Sequence, residues 1–140
     1  VKASEMPNDP PPHRAIPRRR VTRERLAFER LVRRAIEGLP DDVLETLENI
    51  AIVVDDEPSQ RQLQGSGLGP GETLYGLYEG IPLTQRGYGY TMVLPDKITI
   101  FQGPIERDCR THGEIKQLVK DVVRHELAHY FGYSDAELSD

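Results

Sequence analysis

The sequence has no tryptophan, only three phenylalanines and six tyrosines, and a single cysteine among its 140 residues. So few aromatic side chains indicate a small core built mainly from aliphatic residues. A lone cysteine excludes a disulfide within the chain, which fits a reducing compartment. Because Cys109 has no partner in a CxxC pattern, a packing role is favoured over a redox role.

The chain also lacks a run of 18 apolar residues, so no membrane-spanning helix is expected. Its first residues are charged and proline-rich, and they include no apolar segment of the signal-peptide type. These absences predict a soluble, cytoplasmic protein with no membrane partner. A length of 140 residues is typical of a single domain.

The net charge of -5 is distributed unevenly along the chain. Residues 1–34 hold ten Lys/Arg and four Asp/Glu, a net charge of +6, and residues 35–140 have a net charge of -11. The basic part could contact nucleic acid or an acidic partner. Since Phe28 is the only aromatic residue among these arginines, the composition favours a solvated helix with local ion pairs over a nucleic-acid site.

Composition divides the chain into two parts. Residues 6–20, "MPNDPPPHRAIPRRR", contain five prolines, so residues 1–20 are predicted to form a flexible tail rich in proline and arginine. Residues 21–140 are predicted to form one domain. It opens with a helix that Gly38 can stop and Pro40 cannot continue. The apolar positions that predict this helix are Leu26, Leu31, Val32, Ala35 and Ile36.

The middle of the chain is predicted to form one more helix followed by strands. Residues 40–49 predict a short helix, in which Asp42 and Glu45 have the spacing of a capping box. The segment "IAIVVDD" predicts a buried strand. "GSGLGPG" predicts a loop, and "TLYGLYEG" predicts a strand that leads into a turn at Pro82. "YGYTMVLPDKITIFQ" predicts two strands joined by a turn at residues 95–96.

The last long helix is predicted over residues 112–131. Thr111 and Glu114 have capping-box spacing at its start, and Gly132 can end it. The resulting order of elements predicts an α+β fold, a short mixed sheet packed by helices with the long helix near the C-terminus.

This helix carries the pattern His-Glu-x-x-His at residues 125–129. Four His residues in a chain of this composition would give the pattern by chance in about one arrangement in a hundred. His125 and His129 are one helical turn apart, so both imidazoles can bind one tetrahedral zinc ion. Leu118 and Val122 share their stripe, which predicts that the stripe faces inward. A structural pair of histidines, satisfied by backbone or carboxylate groups, is the alternative.

A catalytic zinc site needs a third protein ligand. Gly132 and Asp135 extend the pattern to HExxHxxGxxD, and the glycine would let the chain turn so that Asp135 can approach the ion. Asp135 could instead be an acidic residue in the first turn of a short helix, where the helix dipole favours it. Glu137 and His112 are the other candidates for the third ligand.

The segment "HELAHYFGYSD", together with "ITIFQGPIERDC" and the short strands, resembles the small bacterial zincin-like metallopeptidases sometimes called minimal zincins. The resemblance covers about residues 20–140, and the tail is not part of it. It implies that His125, His129 and Asp135 bind zinc and that Glu126 is the catalytic base. It also implies that a peptide substrate pairs with an exposed sheet edge, formed here by a strand within residues 74–101.

The leading prediction is therefore a zinc peptidase that cleaves peptides or proteins, with Glu126 as general base toward water. The loop at residues 65–71 could act as a flap over the site or be a plain surface loop. Two alternatives stay open. The first is a non-catalytic domain that binds zinc, and the second is an interaction module that uses the basic N-terminal arm.

Overall fold

The computed structural model describes residues 22–68, 71–80 and 96–132. Eight elements follow one another along these residues. They are α1 (Arg23–Glu37), α2 (Asp41–Leu47), β1 (Ala51–Asp55), α3 (Gln60–Gly65), β2 (Gly76–Glu79), β3 (Lys97–Phe101), α4 (Gln102–Asp108) and α5 (His112–Tyr130). The predicted tail, the turn at Pro82 and the first strand of the predicted pair before Pro95 lie outside the described residues.

The three described strands form one mixed sheet in the order β1-β3-β2. β1 runs parallel to β3, and β2 runs antiparallel to it. Helices pack against this sheet, so the predicted α+β architecture is confirmed. The prediction that residues 50–56 form a buried strand is wrong in one respect, because β1 lies at the edge of the sheet formed by the described strands and Val53 is 36% exposed.

The core lies between the sheet and the two long helices. Ile98 and Ile100 of β3 are fully buried and join one apolar cluster with residues of α1 and α5. α1 contacts the sheet, because the Arg25 guanidinium donates to the Val54 carbonyl of β1. α5 packs against α1 on one side and against β2 and β3 on another. α5 therefore has its central part held on two sides, and this rigid support fixes the side chains on its remaining face.

α1 begins and ends where the sequence predicts. The Thr22 hydroxyl accepts a hydrogen bond from the Arg25 N–H (3.0 Å), and the Gly38 N–H donates to the last carbonyls of the helix. One assigned core position was wrong. Leu26 is 45% exposed, whereas Phe28, one turn from Val32, is 1% exposed and contributes the aromatic side chain of this face.

The predicted capping box at Asp42 and Glu45 is wrong. α2 begins at Asp41 with Pro40 at the N-cap, and no side chain caps it. Asp42 therefore lies inside the first turn, where its carboxylate favours the helix through the dipole instead of through a cap.

α5 confirms the predicted long helix. The Thr111 hydroxyl accepts from the Glu114 N–H (3.0 Å), while the Glu114 carboxylate accepts from Arg110 N–H (3.0 Å) and not from Thr111. Gly132 adopts a φ of 96° and donates its N–H to the His129 carbonyl (2.9 Å). This left-handed conformation ends the helix directly after the second histidine.

Candidate metal centre

α5 brings the two predicted ligands together. His125 and His129 lie one turn apart, and their ring centroids are separated by 5.0 Å at an interplanar angle of 66°. Ligand atoms of His125, Glu126 and His129 all lie within 4.8 Å of one another. His125 is exposed, and the side chain of His129 is 21% exposed. Both rings are therefore open to a ligand from the surface.

The prediction that the histidine stripe faces the core is wrong. The buried side of α5 consists of Ile115, Val119, Val123 and Leu127, which join the core cluster. Leu118 and Val122, on the histidine side, are only partly buried. Apolar residues therefore occur on two sides of α5. One side is buried in the core, and the other side, which carries the histidines, faces an open cleft.

Glu126 has the opposite environment from the histidines. It is only 5% exposed, although it lies between them in sequence. Its Oε1 accepts a hydrogen bond from the backbone N–H of Tyr78 (2.8 Å), and its Oε2 lies 3.5 Å from His129 Nδ1. A buried carboxylate is costly unless its oxygens are hydrogen-bonded, so the β2 backbone both stabilises and orients this side chain.

A close approach of β2 to α5 makes this hydrogen bond possible. A Cβ atom at Gly76 would overlap Val122 Cγ1 and would lie 3.1 Å from the Thr99 carbonyl oxygen. Two residues further along β2, the Tyr78 N–H reaches Glu126, four residues beyond Val122. β2 therefore runs beside α5 in the same direction, with two strand residues matching about one helical turn.

The histidines border a cleft of about 600 Å³. One wall is α5, and the other is formed by residues 73–77, which lead into and begin β2. The end of α3 and the residues after it form a third side through Gly65, Ser66 and Leu68. Part of the glycine-rich loop thus borders the cleft, and its action as a flap stays a prediction. In the described part of the chain, β2 pairs only with β3, so its other edge carries no strand.

The donor set of this site fits a zinc ion. Two nitrogens bound to one zinc at about 2.1 Å each are roughly 3.4 Å apart in tetrahedral geometry. The separation within the His-Glu-His group is at most 4.8 Å, so small side-chain rotations would bring both imidazoles onto one ion. Two imidazole ligands with an open cleft in front of them leave room for a third ligand and for a substrate.

Asp135 and Glu137, two of the candidates for the third ligand, lie outside the described residues. His112 can be excluded, because it begins α5, 13 residues before His125, and the helical rise places it about 20 Å away.

The tyrosines near the site have structural partners. Tyr130 is buried and packs edge-on against Tyr78, with ring centroids 5.9 Å apart. Tyr75 lines the cleft but donates its hydroxyl to Asp108, and this hydrogen bond raises the pKa of Tyr75. Cys109 is partly buried against the core, and burial raises the pKa of its thiol, in agreement with the predicted packing role.

Two site features were not predicted from the sequence. The Tyr78 N–H that bonds to Glu126 is a backbone group, and no residue pattern in the sequence predicts this hydrogen bond. Asp121 also lines the cleft, one helical turn before His125. Its i, i+4 spacing from His125 was a usable signal, because residues at that spacing share a helix face.

A family model described as zincin-like metallopeptidase matches residues 47–140, which include the HExxH pattern, the whole described sheet and α5. No curated protein matches the sequence. Within the described part of the chain, no helix is both long enough and apolar enough to cross a membrane.

Proposed function

Because the chain belongs to the zincin-like metallopeptidase family, we propose that it is a zinc-dependent peptidase. The observation that carries the proposal is the contrast between Glu126 and its neighbours. The two histidines open onto a cleft, while the carboxylate between them is buried and held by the Tyr78 N–H. A purely structural zinc site has no need for a fixed carboxylate beside the ligand pair.

In this proposal His125 and His129 hold the zinc, and Asp135 supplies the third ligand. Glu137 is the alternative third ligand. The bound ion would supply Lewis acidity, since zinc polarises a carbonyl group and lowers the pKa of water. The chain's own contribution is a pair of imidazoles preset on one stripe of a rigid helix.

Glu126 acts as the general base and then as the general acid. Its Oε1 keeps the Tyr78 N–H, so Oε2 is the oxygen assigned to proton transfer. Oε2 takes a proton from the attacking water, whose oxygen forms a bond to the carbonyl carbon of the substrate. As the carbon–nitrogen bond breaks, the same proton passes to the leaving nitrogen, and the products are a carboxylic acid and an amine.

The edge of β2 that no described strand covers is the proposed binding site for the peptide backbone, at residues 73–77, before Tyr78, whose N–H is already bonded to Glu126. This edge lies beside α5 and lines the cleft, which makes it the best candidate among the described strands. Backbone pairing with a strand edge gives affinity with little selectivity for side chains. The substrate is accordingly an extended peptide or an unfolded segment of a protein.

The test is replacement of Glu126 by glutamine. The amide oxygen of glutamine can still accept the Tyr78 N–H, so the fold and the zinc content should be kept. The rate of casein cleavage should fall by about 10² to 10⁴, the usual contribution of a general base. Glu114→Gln, the same change on an exposed part of the same helix, is the control and should leave the rate unchanged.

Undiminished cleavage by zinc-loaded Glu126→Gln would contradict the role of Glu126. Absence of cleavage by zinc-loaded wild-type protein on casein and on a mixed peptide library would favour a non-catalytic zinc domain instead.

A further inference from the structure

The charges along the cleft are all of one sign. Apart from the histidines, the ionisable described residues that line it are Asp121, Glu126 and Tyr75. Glu126 is buried and Tyr75 is bonded to Asp108, so Asp121 is the charged group that an incoming ligand meets. In the described part of the chain, no lysine or arginine lines this cleft to neutralise it.

Asp121 is available to a ligand. It is exposed, and its hydrogen bond in the structure comes from the Gln117 side chain (3.0 Å), to one carboxylate oxygen. No ion pair is formed by Asp121 within the described residues. A carboxylate with one hydrogen-bond donor on one oxygen has acceptor positions left for a cation.

The position of Asp121 relates it to the bond that is cleaved. It lies four residues before His125, about 6 Å along the axis of α5. An extended peptide advances about 3.4 Å per residue. Because β2 runs along α5, a peptide paired with β2 also runs along α5. Asp121 then faces the peptide residue that is one or two positions from the bond beside the histidines.

The wall next to Asp121 suits a long basic side chain. Val122, Leu74 and Leu77 line the same cleft and are partly buried. The methylene groups of lysine or arginine can lie on such an apolar surface while the charged end reaches a carboxylate.

We propose that Asp121 selects substrates with a lysine or arginine one or two residues from the cleaved bond, on one side of it only. The restriction to one side follows because Asp121 lies on one side of the histidine pair. This inference rests on the proposed peptidase function, and it adds a substrate class to it.

The experiment uses zinc-loaded Glu126→Gln protein of all 140 residues, so binding is measured without cleavage. Three unstructured fluorescent peptides differ at one position, which holds Lys, Ala or Glu, and their dissociation constants are compared by anisotropy at low salt. The Lys peptide should bind about two- to fivefold more tightly than the Ala peptide, the usual effect of an exposed ion pair. Adding Asp121→Lys should reverse the order, so that the Glu peptide binds best. Glu48→Gln, which removes an exposed carboxylate away from the cleft, should change nothing.

A second measurement maps the cleavage positions of wild-type protein on a peptide library by mass spectrometry. A basic residue should be enriched one or two positions from the cut, on one side, and Asp121→Asn should abolish the enrichment. Equal binding of the Lys and Ala peptides, or no measurable binding of any of them, overturns the inference. Because binding is scored on an inactive variant, that result is separate from a failure of wild-type protein to cleave anything, which concerns the peptidase proposal itself.

Discussion

Neighbouring residues of α5 have opposite exposures at the site, and this difference separates their proposed roles. His125 is exposed, whereas Glu126, the next residue, is only 5% exposed. A helix rotates by about 100° per residue, so one step moves the side chain from the open part of the cleft to its buried wall beside β2. The His-Glu-x-x-His spacing therefore places ligands and base in different environments without any irregularity in the helix.

The third ligand is tested at the scale of single residues. Asp135→Ala should weaken zinc binding at least about tenfold, because a zinc site with three protein ligands would be reduced to two. Chelator competition measures the affinity, and Glu137→Ala is the matched control, which should bind zinc like the wild type. If Glu137→Ala weakens binding and Asp135→Ala does not, the ligand assignment is reversed. Loss of an indirect partner can cost a similar factor, so a zinc–oxygen distance near 2.1 Å is needed to establish direct ligation.

At the scale of elements, the contact between β2 and α5 controls the position of Glu126. Gly76 faces Val122, and no other residue type fits without movement of the strand or the helix. The close approach permits the hydrogen bond from Tyr78 N–H to the carboxylate. A change in this contact should thus affect the base without touching the ligands.

Gly76→Ala should lower the free energy of unfolding by about 1–3 kcal/mol, the usual cost of an added methyl group in a packed contact. It should also lower the peptidase rate more than the zinc content. Val122→Ala removes the overlapping Cγ1 atom, so the double variant should regain part of both losses. Gly113→Ala, whose added Cβ would meet nothing closer than 3.8 Å, is the control. Equal losses in the single and double variants would contradict the proposed contact.

Periodic elements with clear stop signals could be predicted from the sequence. α1 and α5 have long apolar stripes, and Gly38 and Gly132 end them as expected. α3 and α4 were not predicted. α4 starts at Gln102, directly after β3, and the two residues that look like breakers, Gly103 and Pro104, occupy its first turn, where proline is tolerated.

α3 has a complete capping box between Ser59 and Gln62, a local signal that could have been used.

Other features depend on contacts that are distant in sequence. The edge position of β1 and the outward direction of the histidine stripe follow from strand order and helix packing, and neither is encoded locally. The proline-rich tail and a cytoplasmic location stay predictions.

At the scale of the whole molecule, the segment that matches the family model is shorter than the segment that folds as one unit. The match begins at residue 47, yet α1 lies before it and packs along α5. Phe28, Leu31 and Val32 are buried in the shared core. Burial of such side chains contributes about 1.5–3 kcal/mol each, so these three together contribute roughly as much as the net stability of a small domain, about 5–15 kcal/mol.

Arg25 also connects α1 to the rest of the fold through side-chain hydrogen bonds. Its guanidinium donates to the Gln102 side chain (2.7 Å), to the Val54 carbonyl (3.1 Å) and to Asp56. These bonds connect the start of α1 to the end of β1 and to α4.

A fragment of residues 47–140 should therefore not fold alone, whereas a fragment of residues 21–140 should melt at the same temperature as the full chain. Circular dichroism melts of the three proteins check this expectation. A cooperative transition in the 47–140 fragment would show that α1 is dispensable. A large loss of stability in the 21–140 fragment would contradict the prediction that residues 1–20 form a flexible tail.

The central claim is that His125 and His129 form a zinc site, and zinc stoichiometry tests it most directly. Elemental analysis of protein purified without chelators should give about one zinc per chain for the wild type and almost none for His125→Ala or His129→Ala. His112→Ala, which changes the same residue type on the same helix about 20 Å away, should keep its zinc. Wild-type protein that cannot be loaded with zinc, or equal zinc in all four proteins, would contradict the account.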